Sequence, residues 1–340
     1  MIFVSLDGGA TKTIAVAYDD SGRILQIGVN GPSNFRNVGI EAARLNVKSA
    51  IDDALRRSGV SWAEVDYFTF AMAGVKDSAK STEIIDDFIS SYKLQGRYSL
   101  LNDGEAGFRC RFPDRDGIIA APGTGMIAYG RKGDRFERCS GWGWFIGDEG
   151  GAFYIGRRAI QESAKIADGR TLHSKELLEA VMNEFSVAEP RGLVNEVYSE
   201  RINVRRIASL ARVVSSLASS GDELSAHILE EAASEAARSV ISLQNLLGAE
   251  GPLPVSGYGG VFRAGKIYWE TFVNEITDKI ENVEMESPLF GYHAVLGSVQ
   301  TVLSQNGKNL GMREIDLLAR ELDQRVTGLP ESEKSSYLLM

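Results

Sequence analysis

The chain has 340 residues, of which 44% are hydrophobic and 24% are charged, and it carries a formal net charge of −9. These values are typical of an ordinary globular protein with about two domains and a large core. The acidic balance disfavours a nucleic-acid partner, which would need a basic footprint. It leaves nucleotide binding open, because local N–H groups and Mg²⁺ bind phosphates irrespective of overall charge.

Targeting signals and rare residues exclude further classes of protein. The first residues lack the basic segment of a signal peptide, and no apolar run approaches the about 20 residues of a membrane span. We therefore expect a cytoplasmic protein with no membrane partner. Two cysteines, Cys110 and Cys139, are too few for a disulfide scaffold, and three histidines without ligand spacing disfavour a histidine metal site.

The opening stretch, residues 1–18, carries the strongest local pattern. An apolar run ends at Asp7, Gly8 and Gly9 follow, and a second apolar run covers residues 14–18. Two strand-like runs around a Gly-Gly turn predict a β-hairpin. Glycines at its tip would point backbone N–H groups at a phosphate, and a carboxylate would hold a hydrated Mg²⁺. Many glycine-rich turns bind nothing, so the hairpin alone leaves this interpretation open.

Hydrophobic periodicity after the hairpin predicts a mixed α/β domain. Strands are predicted over residues 23–30, 65–72 and 98–101, and helices over residues 41–57 and 81–92. This order predicts an antiparallel start of the sheet, to which later strands are added in parallel.

The same pattern restarts near Gly117. A predicted strand over residues 117–121 is followed by a turn at 122–125 and by strands over 126–130 and 135–139. The repeat of strand, Gly/Thr turn and strand predicts a duplicated α/β fold with a cleft between the two copies. The predicted domains are residues 1–116, residues 117–305 with a helical insertion, and a peripheral helical tail over residues 306–340.

Residues 150–247 are predicted to be largely helical, including a long helix after the N-cap candidate Asp222. Such helices are expected to provide packing rather than chemistry. Beyond them the sequence predicts strands over residues 252–256 and 283–286, helices over 266–280 and 288–303, and an amphipathic helix over 312–322.

Asp103 directly follows a predicted strand, after Asn102 and before Gly104. A carboxylate at the carboxyl end of a strand lies where α/β proteins bind ligands, and it could accept a proton from a substrate hydroxyl. Asp-Gly at a strand end is also a common turn, and both interpretations stay open.

Residues 141–151, GWGWFIGDEGG, form the densest signal in the chain. Proteins bind sugars by stacking aromatic rings on C–H faces while carboxylates accept hydrogen bonds from hydroxyls. Gly143, Trp144 and Asp148 are therefore candidate sugar ligands. A tryptophan-anchored core turn with acids at a helix N-terminus would give the same pattern, and the two interpretations are compatible.

The glycine run at residues 257–260 follows another predicted strand. Glycines let a flat ligand such as a nucleoside approach the backbone, although a tight strand-to-helix turn needs the same residues. Gly259, Gly260 and Val261 are the candidate contacts.

Together these segments resemble the superfamily of sugar kinases, Hsp70 and actin. Within it the chain resembles the BadF/BadG/BcrA/BcrD ATPase family, whose sugar-kinase branch includes N-acetylglucosamine kinase and archaeal hexokinase. The resemblance covers residues 1–300 and rests on separated motifs in the same order. It implies two ribonuclease-H-like domains around a cleft that closes on ATP and substrate, and a homodimer, which is usual among relatives.

The resemblance also implies a role for each motif. Asp7 would orient Mg²⁺ through water, and Asp103 would be the catalytic base. Lys12 would lie beside the phosphates at most, because a strand rather than a Walker-type helix follows it. The implied nucleotide ligands are Gly8, Gly9, Thr11, Lys12 and Thr13 in the first phosphate loop, Gly123, Thr124 and Gly125 in the second, and Gly259, Gly260 and Val261 in the adenosine loop. The implied sugar ligands are Asn34, Asn102, Asp103, Gly143, Trp144 and Asp148.

The resemblance predicts an ATP-dependent kinase that phosphorylates a hydroxyl of N-acetylglucosamine or a hexose. A kinase of a sugar acid, such as 2-keto-3-deoxygluconate, is the first alternative. An acid substrate would want a cation, and Arg36, Lys76 and Arg109 lie near the predicted site segments. The remoter alternatives are an ATPase activator of a radical dehydratase, whose Gly-Gly-Gln-Asp motif is absent from this sequence, and a non-catalytic sugar-responsive regulator.

One departure from the family pattern lies shortly after Pro288. Many relatives carry Pro-x-x-Gly-Ala there, whereas this chain has Tyr292 and His293 between Gly291 and Ala294. No ligand contact is assigned to this segment.

Overall fold

The structure is a computed structural model that describes residues 1–10, 12–76, 78–171, 175–198 and 202–330. These residues form two compact units. The first comprises Met1–Arg115 together with the described chain from Leu289 onward, and the second comprises Asp116–Pro288.

The sheet of the first unit consists of β1 (Ile2–Gly8), β2 (Thr13–Asp19), β3 (Ile24–Asn30), β4 (Tyr67–Met72) and β5 (Tyr98–Leu101). Its order is β3-β2-β1-β4-β5. The predicted hairpin is confirmed: β1, β2 and β3 form an antiparallel meander, and β4 and β5 are added in parallel. β1 and β2 are almost entirely buried, as strands covered on both faces are.

The helices that accompany these strands are α1 (Phe35–Val38), α2 (Ile40–Ser58), α3 (Ala79–Ser90) and α4 (Asp103–Arg111). α2 packs so closely on β3 that a Cβ atom at Gly28 would collide with the carbonyl of Ala50. α4 begins at Asp103 because the side chain of Asn102 caps it. The sheet therefore delivers both Asp7 and Asp103 at the carboxyl ends of its parallel strands.

The sheet of the second unit consists of β6 (Gly117–Ala120), β7 (Ile127–Lys132), β8 (Arg135–Ser140) and β9 (Val255–Gly257). Its order, β8-β7-β6-β9, repeats that of the first sheet, with an antiparallel meander followed by a parallel strand. The strand predicted over residues 283–286 is not formed, because Met285 makes only an isolated parallel bridge to Val255. Pro288 follows closely and has no N–H for a further ladder bond.

The helices of the second unit are α5 (Ala152–Ala167), α6 (Glu176–Glu184), α7 (Gly192–Val197), α8 (Val204–Ser219), α9 (Glu223–Leu246) and α10 (Lys266–Thr277). The predicted N-cap of α9 is confirmed, since a carboxylate oxygen of Asp222 accepts a 2.8 Å hydrogen bond from the backbone N–H of Ser225. No helix of the described residues has the length and apolar character that crossing a membrane requires.

The C-terminal chain returns to the first unit, whereas the sequence assigned residues 289–305 to the second domain and residues beyond to a peripheral tail. The helix predicted over residues 288–303 starts later than expected. Phe290 is extended, a 3₁₀ turn at Gly291–Ala294 follows, and only then does α11 (Val295–Gln305) begin.

α11 and the last helix, α12 (Met312–Thr327), are both packed against the first unit. A Cβ atom at Gly297 of α11 would collide with the carbonyl of Ala106 on α4. The guanidinium of Arg325 on α12 donates hydrogen bonds to the carbonyls of Ile24 (2.8 Å) and Leu25 (3.0 Å) on β3. The described part of the tail is therefore attached to the sheet that carries the first loop.

Candidate functional site

The first glycine loop is closed by backbone hydrogen bonds. Asp7 pairs with Ile14 and Gly8 with Thr13 across the hairpin. The N–H of Gly9 donates to the carbonyl of Lys12 at 3.0 Å. Thr11, a predicted phosphate ligand, lies outside the described residues. The tip is thus a tight turn at the end of two buried strands.

The two neighbouring glycines of this loop have different reasons to be glycine. A Cβ atom at Gly8 would collide with Oγ of Ser33, so packing excludes a side chain there. At Gly9 the nearest atom to an added Cβ would be the carbonyl oxygen of Lys12 at 3.9 Å, and Gly9 is not among the residues of positive φ. The described residues around the loop therefore leave space at Gly9.

Asn34 lies beside the first loop. The backbone N–H groups of Ser33 and Asn34 both donate to the carbonyl of Gly9 at 3.1 Å. The side-chain oxygen of Asn34 accepts a 3.1 Å hydrogen bond from the N–H of Arg36 and so caps α1. The residue predicted as a sugar ligand is thus held next to the loop, with its Oδ1 serving as a helix cap.

Asp7 and Asp103 form a pair of interacting carboxylates. Asp7 is only 7% exposed. Burial, with a further contribution from the charge of Asp103, raises the pKa of Asp7 to about 8, and the charge of Lys12 acts in the opposite direction. Two carboxylates and one ammonium group therefore share this end of the sheet.

Asn102 holds Asp103 in place. Oδ1 of Asn102 accepts a 2.9 Å hydrogen bond from the N–H of Gly104, and its side-chain amide donates to the carbonyl of Val75, also at 2.9 Å. These bonds join the start of α4 to the turn that follows β4. The predicted sugar ligand Asn102 is therefore buried and serves to orient the neighbouring acid.

The acidic end of the sheet suits a hard cation. Within the described ranges, no group of three or more His, Cys, Asp or Glu side chains is placed to hold a metal ion. Mg²⁺ commonly keeps several waters and takes only one or two carboxylates together with substrate phosphates. The carboxylates of Asp7 and Asp103, which interact at this end of the sheet, are of the kind and number that this mode of binding requires.

The second glycine loop, residues 121–125, connects β6 to β7. The N–H of Gly123 donates to the carbonyl of Gly125 at 2.9 Å, and the carbonyls of Gly123 and Thr124 accept 2.9 Å hydrogen bonds from the first residues of α5. An added Cβ at Gly123 would meet nothing within 4 Å. As at Gly9, the fold leaves space on the loop.

Asp148 links this loop to the tryptophan-rich segment. Its backbone has φ of 61°, and its carboxylate accepts a 3.1 Å hydrogen bond from the N–H of Gly143. Burial raises the pKa of Asp148, while hydrogen bonds from the backbone of Gly143 and Met126 act to lower it. A Cβ atom at Gly125 would collide with the Asp148 carboxylate, so that side chain packs directly on the second loop.

The two tryptophans of this segment differ in exposure. Trp144, the predicted sugar ligand, packs against Phe153 of α5 with 5.2 Å between ring centroids. Trp142 is 71% exposed, and Phe145 and Ile146 beside it are exposed as well. The sequence predicted Trp144 rather than Trp142 as the sugar ligand, because nothing in the pattern GWGW distinguishes the packed ring from the exposed ring.

The third candidate segment contacts the second loop. Gly259 has φ of 132°, and a Cβ atom there would lie 2.5 Å from the carbonyl oxygen of Pro122. The N–H of Val261 donates to the same carbonyl at 3.2 Å. The structure therefore brings together, within the second unit, the segments predicted to bind phosphate and adenosine.

The structure adds one residue pair that the sequence did not predict. The ammonium of Lys12 lies 5.1 Å from the ring centroid of Tyr292. The hydroxyl of Tyr292 donates a 2.7 Å hydrogen bond to Asp323 of α12. The only signal in the sequence was the departure from the family pattern at residues 291–294.

Both sheets consist of an antiparallel meander to which one or two parallel strands are added, and in both a glycine-rich loop follows the first strand of the meander, β1 or β6. This repeat defines a duplicated fold of the actin-like ATPase type. The structure is similar to that of a proposed N-acetylglucosamine kinase from Chromobacterium violaceum. The TM-score is 0.73 at 23% identity, and the match covers 89% of this chain and 98% of the other.

The model of the BadF/BadG/BcrA/BcrD ATPase family matches residues 4–300, and the chain belongs to this family. The N-acetylmuramic acid/N-acetylglucosamine kinase of Clostridium acetobutylicum is 35% identical over 71% of this chain and 81% of its own length. The N-acetyl-D-glucosamine kinase of Dictyostelium discoideum is 24% identical over 84% and 92%, respectively. The family resemblance inferred from the motifs is thereby confirmed.

Proposed function

We propose that the protein is an ATP-dependent kinase that transfers the γ-phosphoryl group to a hydroxyl of N-acetylglucosamine or a closely related amino sugar. The observation that carries the proposal is a pair of interacting carboxylates, the buried Asp7 and the partly exposed Asp103, beside a glycine loop where the described residues leave space at Gly9. The family and the amino-sugar kinases among its relatives support the same reaction. A cytoplasmic location follows from the need for ATP.

The two loops are proposed to bind phosphate oxygens of ATP. Neither Gly9 nor Gly123 has positive φ or a close neighbour among the described residues, so the described packing does not explain why a side chain is absent. A ligand that approaches the backbone does explain it, because phosphates are bound by N–H groups that only a residue without a side chain fully exposes. Gly259, Gly260 and Val261 are proposed to contact the adenosine.

Asp7 is the proposed residue for Mg²⁺. Desolvation and the charge of Asp103 disfavour its ionised form, and a divalent cation would reverse both effects. When bound, Mg²⁺ would neutralise charge on the transferred phosphoryl group. Asp7 would hold it through water, in keeping with the small number of carboxylates in the described site.

Asp103 is the proposed catalytic base. Its position at the first turn of α4, fixed by Asn102, would let the carboxylate accept the proton of a sugar hydroxyl as that oxygen attacks the γ-phosphorus. Phosphoryl transfer depends mainly on positioning and charge neutralisation, so a rigidly capped helix start is a suitable platform. Asn34 and Trp142 are proposed to contribute to sugar binding.

The ion pairs of the described cations favour an uncharged sugar over a keto-deoxy acid. The ammonium of Lys76 lies 2.6 Å from a carboxylate oxygen of Glu105, and the guanidinium of Arg109 lies 3.1 Å from the other oxygen. Both cations that were candidates to recognise a substrate carboxylate therefore already have an acidic partner. Arg36 also has a partner, its own neighbour Phe35, through a cation–π contact.

The cysteines disfavour the activator alternative. Iron–sulfur clusters are held by cysteine thiolates, which must reach the cluster. Cys110 is completely buried, and burial raises the pKa of its thiol to about 12. Burial also raises the pKa of Cys139 on β8. Both shifts disfavour the thiolate, which is the form that ligates iron.

A panel of acceptors tests the proposal. ADP release would be measured with ATP, Mg²⁺ and, in separate reactions, N-acetylglucosamine, N-acetylmuramic acid, glucose and 2-keto-3-deoxygluconate. We expect the fastest turnover with an N-acetylated amino sugar. Turnover of the keto acid alone would favour the alternative substrate, and no turnover of any acceptor would reject the kinase. Sedimentation of the same protein would test the homodimer that the family resemblance implies.

A further inference from the structure

The segment that departs from the family pattern converges on one carboxylate. The hydroxyl of Tyr292 donates to Oδ1 of Asp323 at 2.7 Å, and Nε2 of His293 lies 2.8 Å from the same oxygen. The two rings are in edge-to-face contact, with 5.2 Å between their centroids. Asp323 therefore fixes the orientation of the Tyr292 ring.

Asp323 itself belongs to a helix that is fastened to the sheet. Arg325, in the same turn of α12, donates to the carbonyls of Ile24 and Leu25 and forms an ion pair with Glu321 at 2.7 Å. β3 pairs with β2, and β2 leads directly back into the first glycine loop. The helix thus reaches the loop from two sides, through the sheet and through Tyr292.

The face of the fixed ring meets the ammonium of Lys12. A distance of 5.1 Å from nitrogen to ring centroid lies within the range of an attractive cation–π contact. An aromatic face restricts a lysine side chain and leaves it protonated. Lys12 also acts electrostatically on Asp7, so the ammonium is near the acidic end of the sheet.

We infer that Tyr292, held by Asp323, is a positioning residue that keeps the Lys12 ammonium directed at the phosphates of the bound nucleotide. This inference rests on the proposed function, since it needs a nucleotide in the first loop. It gives the C-terminal helix α12 a part in nucleotide binding, although the sequence predicted only a peripheral tail for residues 306–340. It also gives Lys12 a contact with phosphates although a strand, rather than the helix of a Walker motif, follows it.

Steady-state kinetics with four variants test the inference. Tyr292→Ala removes the ring, Tyr292→Phe keeps the ring but loses the bond to Asp323, Lys12→Met removes the charge, and the double variant combines the first and third. We expect Tyr292→Ala to raise the KM for ATP about two- to fivefold, the range of an exposed cation–π contact, with the KM for sugar unchanged. Tyr292→Phe should give a KM for ATP between those of the wild type and Tyr292→Ala, because it keeps the ring face but loses the bond that fixes the orientation of the ring.

The double variant separates positioning from a merely structural role. If Tyr292 acts through Lys12, Tyr292→Ala has no further effect on the KM for ATP in the Lys12→Met background. An equal effect in both backgrounds would overturn the inference. Tyr98→Phe is the matched control, because it removes another 2.7 Å tyrosine–aspartate hydrogen bond, to Asp86, from the same unit. We expect it to leave the KM for ATP unchanged.

Calorimetric titration with ADP keeps the inference independent of the sugar. It requires no acceptor, so the coupling between Lys12 and Tyr292 can be measured even if none of the tested sugars is phosphorylated. Nucleotide binding without that coupling would overturn the inference and leave the proposed kinase intact. A wild-type protein that binds no nucleotide would overturn both. Melting temperatures close to that of the wild type would establish that the variants fold.

Discussion

The two units repeat one strand order and distribute their charges differently. β1 carries Asp7 to its carboxyl end, whereas the corresponding strand of the second unit, β6, ends at Ala120. The first loop thus lies beside two interacting carboxylates and an ammonium group. The second loop is followed by no acid on its own strands. The two glycine loops therefore follow strands at equivalent positions of their sheets, but only the strand before the first loop carries a charged residue, Asp7, at its carboxyl end.

The acid nearest the second loop comes from another segment and is bound differently. Asp148 accepts hydrogen bonds from the backbone of Gly143 and Met126, whereas Asp7 faces the charge of Asp103. Backbone N–H groups favour the charged form of Asp148 against the effects of burial and of Glu149, whereas the charge of Asp103 adds to the effect of burial at Asp7. The comparison assigns the reacting groups to the first unit and neutral backbone contacts to the second.

The largest expected effect comes from the base in the first unit. Asp103→Asn keeps the size of the side chain but removes the proton acceptor, so kcat should fall about 10²- to 10⁴-fold. Sugar affinity, measured by calorimetry, should change little, because the amide still makes polar contacts. ADP release with N-acetylglucosamine gives kcat.

Glu105→Gln is the matched control for that variant. Glu105 lies in the same first turn of α4 as Asp103 and forms ion pairs with Lys76 and Arg109. It should retain most of the activity. Comparable losses in both variants would mean that the charge of α4 as a whole, rather than a base at Asp103, is responsible. A protein that binds sugar but never turns it over would be a regulator instead.

The glycine loops provide a smaller effect that should be equal in the two units. Gly9→Ala and Gly123→Ala place a methyl group in open space, so stability should hardly change while the KM for ATP rises about tenfold or more through lost phosphate contacts. Gly125→Ala is the contrast, because its methyl group collides with Asp148. It should lower stability by about 1–3 kcal/mol.

Thermal unfolding and ATP kinetics check both halves of this prediction. If Gly123→Ala leaves the KM for ATP unchanged while Gly9→Ala raises it, only the first loop binds phosphate and the functional equivalence of the loops fails. If both variants unfold at much lower temperature, the glycines are structural after all.

The parts of the site that the sequence predicted are those with a local cause. A carboxylate at a strand end, or glycines between two apolar runs, depend on neighbours in the chain, and Asp7 and Asp103 lie where this pattern indicated. The effect of Asp103 on the pKa of Asp7 also follows from topology, because the parallel strands β1, β4 and β5 end at the same edge of the sheet. The position of each acid was therefore predictable without long-range information.

The remaining features depend on packing between distant segments. Lys12 contacts Tyr292, and Tyr292 binds Asp323, although these residues are far apart in the sequence. Hydrophobic periodicity predicts only local structure and cannot indicate such contacts. The same holds for Trp144, whose ring packs against Phe153 at the start of α5. The same is true of the last helices, which belong to the first unit rather than the second. Contact between α11 and α4 requires that Gly297 has no side chain.

The smallest expected effect is a difference between Asp7 and Asp148 in how replacement of each acid changes thermal stability with pH. The pKa of Asp7 is raised from 3.8 to about 8, so the folded state keeps a proton that the unfolded chain has lost over this interval. Its contribution to stability is complete below the pKa of the unfolded chain and declines as the pH rises toward about 8.

Without nucleotide and Mg²⁺, Asp7→Asn should therefore melt at least about 3 °C above the wild type near pH 8, with a smaller gain near pH 5. Asp148→Asn should show less of this trend, because backbone N–H groups favour the charged form of Asp148. Equal trends at both sites would mean that burial alone governs the two acids, and the electrostatic contrast between the units would then disappear.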